Sequence, residues 1–231
     1  MNSIALENCK ILKYGEFAEE NILIENGVIK DISPKNIAAK KIIDCRGLFL
    51  MPGIIDCHVH FRTPGMEEKE DWNTASHASA AGGVTTVLDM PNTLPPTTTI
   101  SALEGKRKIA QKNSLVNFGF HFGATGGNIA EIGRAQGIGS IKIFTGKSTG
   151  SLFLEDSEKI KKVFEVAKKR DFVVCIHAED QKIILKNEKK FAGKSHPLLH
   201  SEIRTAEAES SAIEMVLEIQ KKTGNRLHIC H

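Results

Sequence analysis

Two histidines one residue apart, His58 and His60, carry the sharpest chemical signal in this 231-residue sequence. In an extended strand, residues i and i+2 project from the same face, so both imidazoles can reach one point. Neutral imidazole is the commonest protein metal ligand, and two converging rings can hold a divalent ion such as zinc. The plainer reading is two polar residues on a half-buried strand, and the spacing alone does not choose between them. A lysine and further histidines, Lys142, His177 and His231, fall within or at the ends of other apolar runs.

Those runs are the elements that must position the histidines. Segments 53–60, 84–91, 116–123, 140–146, 172–179 and 226–231 are short, apolar and rich in β-branched residues. They alternate with amphipathic stretches, the pattern of a parallel sheet with crossover helices. A helix is predicted over 156–169, capped by Asp156 or Ser157, with Ile160, Val163, Phe164 and Ala167 on one apolar face. A second is predicted over 202–222 and ended by Gly224, with shorter ones over 72–81 and 101–111. Six β units in succession, with polar residues at strand ends, predict a (β/α)8 TIM barrel over residues 51–231, truncated after strand six. Residues 1–50 read instead as a small β-sandwich-like appendage. Asn26-Gly27 between two β-prone runs is a hairpin signal, and a further strand is expected over Lys41–Asp44.

Composition narrows the class. A formal charge of +3, with acids and bases interspersed, provides no basic stripe for nucleic acid. No stretch approaches the roughly 18 consecutive apolar residues of a membrane span, and no basic, apolar leader opens the sequence. Five scattered cysteines without a Cys-x-x-Cys pair argue against disulfides and fit a reducing cytoplasm. The run Gly146-Lys147-Ser148-Thr149-Gly150 lacks the earlier glycine of a phosphate-binding loop, because Ile141 stands in that place.

The strand that carries the two histidines reads Met51-Pro52-Gly53-Ile54-Ile55-Asp56-Cys57-His58-Val59-His60-Phe61-Arg62-Thr63-Pro64-Gly65. It resembles the first-strand signature of the amidohydrolase superfamily, and its Arg-x-Pro-Gly ending is similar to that of the dihydroorotase family. The resemblance continues through Ala80-Ala81-Gly82-Gly83-Val84-Thr85-Thr86 and Asp89-Met90-Pro91-Asn92-Thr93. It runs on through Ile141-Lys142-Ile143-Phe144 and His177-Ala178-Glu179-Asp180. Several separated motifs in the right order, over nearly the whole chain, are far more specific than any one of them.

The resemblance implies a metal centre of His58, His60, Lys142, His177 and His231, with two zinc ions bridged by a carboxylated Lys142. Carboxylation requires a neutral amine, which burial favours, and produces an anionic ligand with two oxygens. The alternative for Lys142 is an ammonium salt-bridged at the barrel mouth. Arg62 and Asn92 resemble the family's substrate-binding pair, since a guanidinium grips a carboxylate in bidentate fashion and an amide adds a donor and an acceptor. Arg62 could instead pair with Glu67 or Asp71. The remaining histidines (His77, His121, His196, His200 and His228) match no ligand role, and Arg204 and Glu207 read as structural.

The implied activity is hydrolysis of a small cyclic amide, N-carbamoyl-L-aspartate to and from L-dihydroorotate in pyrimidine biosynthesis. The catalytic residue is unknown in this sequence: the family's proton-shuttling aspartate is expected beyond His231, on strand eight, and Asp89 or Asp180 would be guesses. An unclosed barrel is expected to expose strand edges and to be inactive alone or to need a partner. The rival readings are another cyclic amidohydrolase, of allantoinase or dihydropyrimidinase type, and a non-catalytic subunit that docks onto a partner such as aspartate transcarbamoylase. A homo-oligomer is a further expectation.

Overall fold

The computed structural model describes residues 2–34 and 37–231, in two compact units, Met1–Gly53 and Ile54–His231. The first unit is one five-stranded sheet. Strands β1 (Ser3–Lys13), β2 (Glu16–Glu25), β3 (Val28–Ile32) and β4 (Lys41–Asp44) lie in the order β3-β2-β1-β4, and β5 (Phe49–Leu50) also pairs with β1. The β1–β2 and β2–β3 hairpins are antiparallel, whereas β4 and β5 run parallel to β1. Both hairpins turn on two residues with positive φ, Tyr14-Gly15 and Asn26-Gly27, the backbone that matches strand twist. Ala5, Cys9 and Ile22 are its buried apolar residues.

The second unit alternates strand and helix. Its strands are β6 (Ile54–Val59), β7 (Val84–Asp89), β8 (Asn117–Gly123), β9 (Ser140–Phe144), β10 (Val174–His177) and β11 (Leu227–Ile229). They form one parallel sheet in sequence order, with β6 and β11 at its edges. This is a (β/α)8 barrel through its sixth strand. On edge strand β6, Ile54 and Ile55 are 55% and 65% exposed, as an unclosed sheet requires. Between strands lie α1 (Trp72–Ala81), α2 (Ile100–Asn113), α3 (Ile129–Arg134), α4 (Ser157–Lys169), α5 (Gln181–Lys190), α6 (Leu199–Ile203) and α7 (Ala206–Thr223). Among the described residues no helix is long and apolar enough to cross a membrane.

Local chemistry explains most boundaries. Asp156 caps α4 by accepting the backbone N–H of Glu158 and Lys159, and Ile160, Val163, Phe164 and Ala167 form its buried face. Gly224, at φ +64°, ends α7 in the left-handed conformation that glycine adopts without a Cβ clash. The helix predicted over 202–222 is two helices. Arg204 leaves helical geometry, and Thr205 turns extended so that its hydroxyl caps Ala208. Helices α3 and α5 lie outside the helices that the periodicity predicts. The core lies between sheet and helices, where Trp72 packs edge-on against Phe61, Phe118 and Phe120.

Candidate metal centre and anion anchor

The strand ends bring all four candidate histidines together. His58 lies on β6 and His60 one residue past it; His177 ends β10, and His231 lies two residues past β11 rather than on it. Ring centroids are 5.4 Å apart for His58 and His60, 5.0 Å for His177 and His231, and 5.1 Å for His58 and His231. With metal–nitrogen bonds of about 2.0–2.1 Å, two imidazoles on one tetrahedral ion stand with centroids roughly 5 Å apart. Among the described residues no three His, Cys, Asp or Glu side chains already converge on one point. The histidine rings form a continuous row instead, His60, His58, His231 and His177, each within 5.4 Å of the next.

Lys142 has the chemistry to supply one. It lies on β9, is fully buried, and its Nζ is 3.0 Å from the Cys230 thiol. No carboxylate pairs with it among the described residues, so the salt-bridged alternative is not what the structure contains. Burial holds His60 down to about 4, helped by the charges of Arg62, His58 and Lys142 and opposed by its bond to Asn92. His177 and His231 are also held below the ordinary imidazole value, by burial first and in part by the Lys142 charge. Neutral rings keep a lone pair for a metal, and a carbamate at Lys142 would convert the repelling charge into an anionic ligand. The donor types present fit a metal centre.

Arg62 stands next to this cluster with its backbone at φ +62°, a conformation that costs energy for a side chain of its size and concentrates at functional positions. One of its terminal nitrogens, Nη1, is buried without a hydrogen-bond partner. The two carboxylates that could have paired with it are engaged elsewhere. Glu67 accepts the Gly65 N–H with both oxygens, and Asp71 caps α1 through Thr74. Asn92 is 3% exposed. Its Oδ1 lies 2.9 Å from His60 Nδ1 and its amide nitrogen donates to Thr149 O at 3.1 Å. That places it between the first histidine pair and the loop after β9.

Three groups that sequence reasoning did not single out complete the surroundings. Glu179 Oε2 meets His177 Nε2 at 2.5 Å and also pairs with Arg204, which donates to Lys147 O. Its spacing from His177, one residue between, repeats that of His58 and His60 and is the signal that could have found it. Gly146 permits this approach, because a Cβ there would lie 2.7 Å from Glu179 Cβ. The Cys230 thiol, which meets Lys142, is pushed down by hydrogen bonds from Cys175, His58 and Lys142. Lys106 on α2 forms an ion pair with Asp89 at 2.5 Å, both side chains having no solvent exposure. Lys106 also donates to Met90 O, and Asp89 accepts the Phe61 N–H at 2.7 Å. The pair thereby ties the ends of β6 and β7 together.

The two aspartates considered as proton carriers are both committed. Asp89 is locked as described, and Asp180 caps α5 and accepts from Ser211. His121 is buried, between Ser140 Oγ at 2.6 Å and Cys57 O at 2.9 Å. Among the described residues His77 bonds to the Asn73 carbonyl on α1 alone. An open cleft of about 810 Å³ is bordered by Lys147, Thr149, His177, Glu179, Arg204 and His231.

A six-stranded parallel sheet with its titratable groups gathered at strand ends is the architecture of TIM-barrel hydrolases. The amidohydrolase family model matches residues 49–230, and the chain belongs to that family, which is generally metal-dependent. It is 39% identical, over 236 aligned residues, to a dihydroorotase of Methanosarcina acetivorans, covering 100% of this chain and 50% of that protein. It is 37% identical to a dihydroorotase of Methanosarcina mazei, covering 100% and 51%. Among solved structures, an L-hydantoinase (dihydropyrimidinase) from Arthrobacter aurescens superposes with a TM-score of 0.93 at 29% identity, covering 100% of this chain and 53% of that one. The chain spans about half the length of the curated relatives it matches.

Proposed function

We propose that this chain carries the metal-binding and substrate-anchoring half of a dihydroorotase, which interconverts N-carbamoyl-L-aspartate and L-dihydroorotate in pyrimidine biosynthesis. The observation that carries the reading is Arg62: a partly buried guanidinium with a free donor, placed two residues past His60. Dihydroorotate presents a ring carboxylate beside the cyclic amide, and a guanidinium is the group that grips a carboxylate by two parallel bonds.

His58, His60, His177 and His231 would hold the zinc, with Lys142, carboxylated, as a further anionic ligand. When bound, the zinc pair supplies a hydroxide nucleophile near neutral pH and polarises the amide carbonyl. The chain's own residues do the rest. Arg62 fixes the substrate by its carboxylate, and Asn92 orients His60 through Nδ1 while presenting its second amide hydrogen to the substrate. Thr145 and Arg204 hold Glu179 beside His177. With Asp89 and Asp180 committed, neither is assigned as the proton carrier. A second copy of the chain or aspartate transcarbamoylase is the proposed partner, and the reducing cytoplasm the proposed compartment.

The likeness to an L-hydantoinase keeps a second reading in view, another cyclic-amide hydrolase built on the same half-barrel. Hydantoin carries no ring carboxylate, so Arg62 separates the two. Zinc-loaded protein from its native cells is expected to hydrolyse dihydroorotate in preference to hydantoin, allantoin and dihydrouracil. Turnover of hydantoin with none of dihydroorotate would replace the assignment. Absence of all four activities in the native protein would favour the non-catalytic subunit.

A further inference from the structure

The first unit holds two thiols that the proposed function does not use. Cys9 on β1 is buried, Cys45 follows β4 and is partly exposed, and their sulfurs lie 3.4 Å apart. They are 36 residues apart in sequence, so the contact is made by the fold. The pairing of β1 with β4 ends at Glu7 and Asp44, and the chain then continues in a tightly bonded turn. Cys45 N–H donates to Glu7 O, Gly47 N–H to Asn8 O, and Leu48 N–H to Cys45 O, each at 2.8 Å.

Opposite this turn, β1 carries a bulge between Leu6 and Cys9, with Asn8 at φ +56°. The Asn8 amide donates to Asp44 Oδ1, and its backbone N–H donates to Asn21 Oδ1. The backbone is therefore anchored on both sides of each cysteine. The bulge inserts the extra residue that brings the Cys9 side chain round to face Cys45.

We infer that Cys9 and Cys45 are a dithiol modification site, which small-molecule disulfides oxidise to an intramolecular disulfide and thiols reduce again. The partly exposed Cys45 thiolate attacks one sulfur of glutathione disulfide, forming a mixed disulfide and releasing one glutathione thiolate. The Cys9 thiolate then attacks the Cys45 sulfur, the mixed bond breaks, and a second glutathione thiolate leaves. Two protein thiols lose two electrons and glutathione disulfide gains them, and the two thiol protons end on the released glutathione. The sulfurs close from 3.4 Å to the roughly 2.05 Å of a bond. Burial and the neighbouring thiol hold Cys9 up at about 11, which makes Cys45 the first thiol to react.

The test incubates the 231-residue protein with glutathione disulfide, traps free thiols by alkylation, and maps the unreduced peptides by mass. The expected result is a linked peptide joining Cys9 to Cys45. It should exceed the Cys45–glutathione adduct by at least about tenfold, because the second thiol is held at contact while free glutathione must diffuse. Dithiothreitol should restore both thiols. Cys9→Ser should stop at the Cys45–glutathione adduct, and Cys45→Ser should leave Cys9 unmodified. Accumulation of the mixed adduct on wild-type Cys45 would overturn the inference. So would linkage of Cys175 to Cys230 with Cys9 and Cys45 still free. The wild-type map decides the matter even where a variant fails to fold.

Discussion

Replacing Lys106 with methionine tests the claim that a buried ion pair holds the candidate site together. Methionine keeps most of the stem's packing between Leu103 and Ala110 on the buried face of α2 and removes only the charge and its bonds. Asp89 would then keep its Phe61 N–H but lose its ion-pair partner, with no solvent exposure to compensate. Breaking a buried pair by removing one partner costs about 3–5 kcal/mol. Burial raises the Asp89 pKa and lowers that of Lys106, in each case against the pull of the partner. A carboxyl whose folded pKa is raised favours its protonated form in the fold, so stability returns as pH falls through that raised value. The Lys106→Met deficit should therefore be largest at neutral pH and shrink below it. A packing defect would be the same at every pH.

The single tryptophan, Trp72, supplies the assay. It is 1% exposed in the second unit and packs on Phe61 and Phe120, so its fluorescence during urea unfolding follows that unit alone. Lys106→Met combined with Asp89→Asn should cost less than the sum of the two single changes, because neither charge is then stranded. A Lys106→Met deficit below about 1 kcal/mol, or one independent of pH, would refute the reasoning.

Three further outcomes follow from the same geometry. His121 is held down to about 4 by burial, against the bond it donates to the Cys57 carbonyl, a shift worth on the order of 3 kcal/mol. Because this folded pKa is depressed, the stability is present above about 6.5 and is lost as pH falls toward about 4. Metal-free His121→Gln should therefore unfold with a flatter acid limb than wild type, as read by Trp72 fluorescence. Asn92→Ala should weaken zinc binding by about 10–100-fold through loss of the His60 Nδ1 partner, measured by competition with a chromophoric chelator. Arg62→Ala should weaken binding of dihydroorotate to zinc-loaded protein by about 10–100-fold, the worth of a charged hydrogen bond of roughly 1.5–3 kcal/mol. Zinc affinity should be unchanged, and calorimetry checks both.

Much of this is legible in the sequence, for identifiable reasons. Six apolar runs with regular spacing give six strands, and Asn26-Gly27 and Gly224 mark their turn and cap because few other residues accept positive φ. His58 and His60 are visible because strand periodicity is local. Lys106 is not, because Glu104-Gly105-Lys106-Arg107-Lys108 looks like a solvated charged face until Asp89 arrives from another strand. Its spacing, three residues after Leu103 and four before Ala110 along the buried face, is the one local clue. The break between α6 and α7 escapes periodicity because Thr205 is as acceptable within a helix as at its cap. Cys230 gains its meaning only from partners brought by other strands, whereas Glu179 meets His177 two residues before it and is joined by Arg204 and Thr145 from elsewhere. The Cys9–Cys45 contact likewise depends on a bulge and a parallel pairing that spacing cannot reveal.

The most direct test of the metal centre is native mass spectrometry of the chain titrated with zinc in bicarbonate buffer. The account predicts two zinc ions and one carbon dioxide adduct that maps to Lys142, with His231→Ala retaining one ion. Saturation without any adduct on Lys142, or zinc binding indifferent to loss of both His58 and His177, would contradict it.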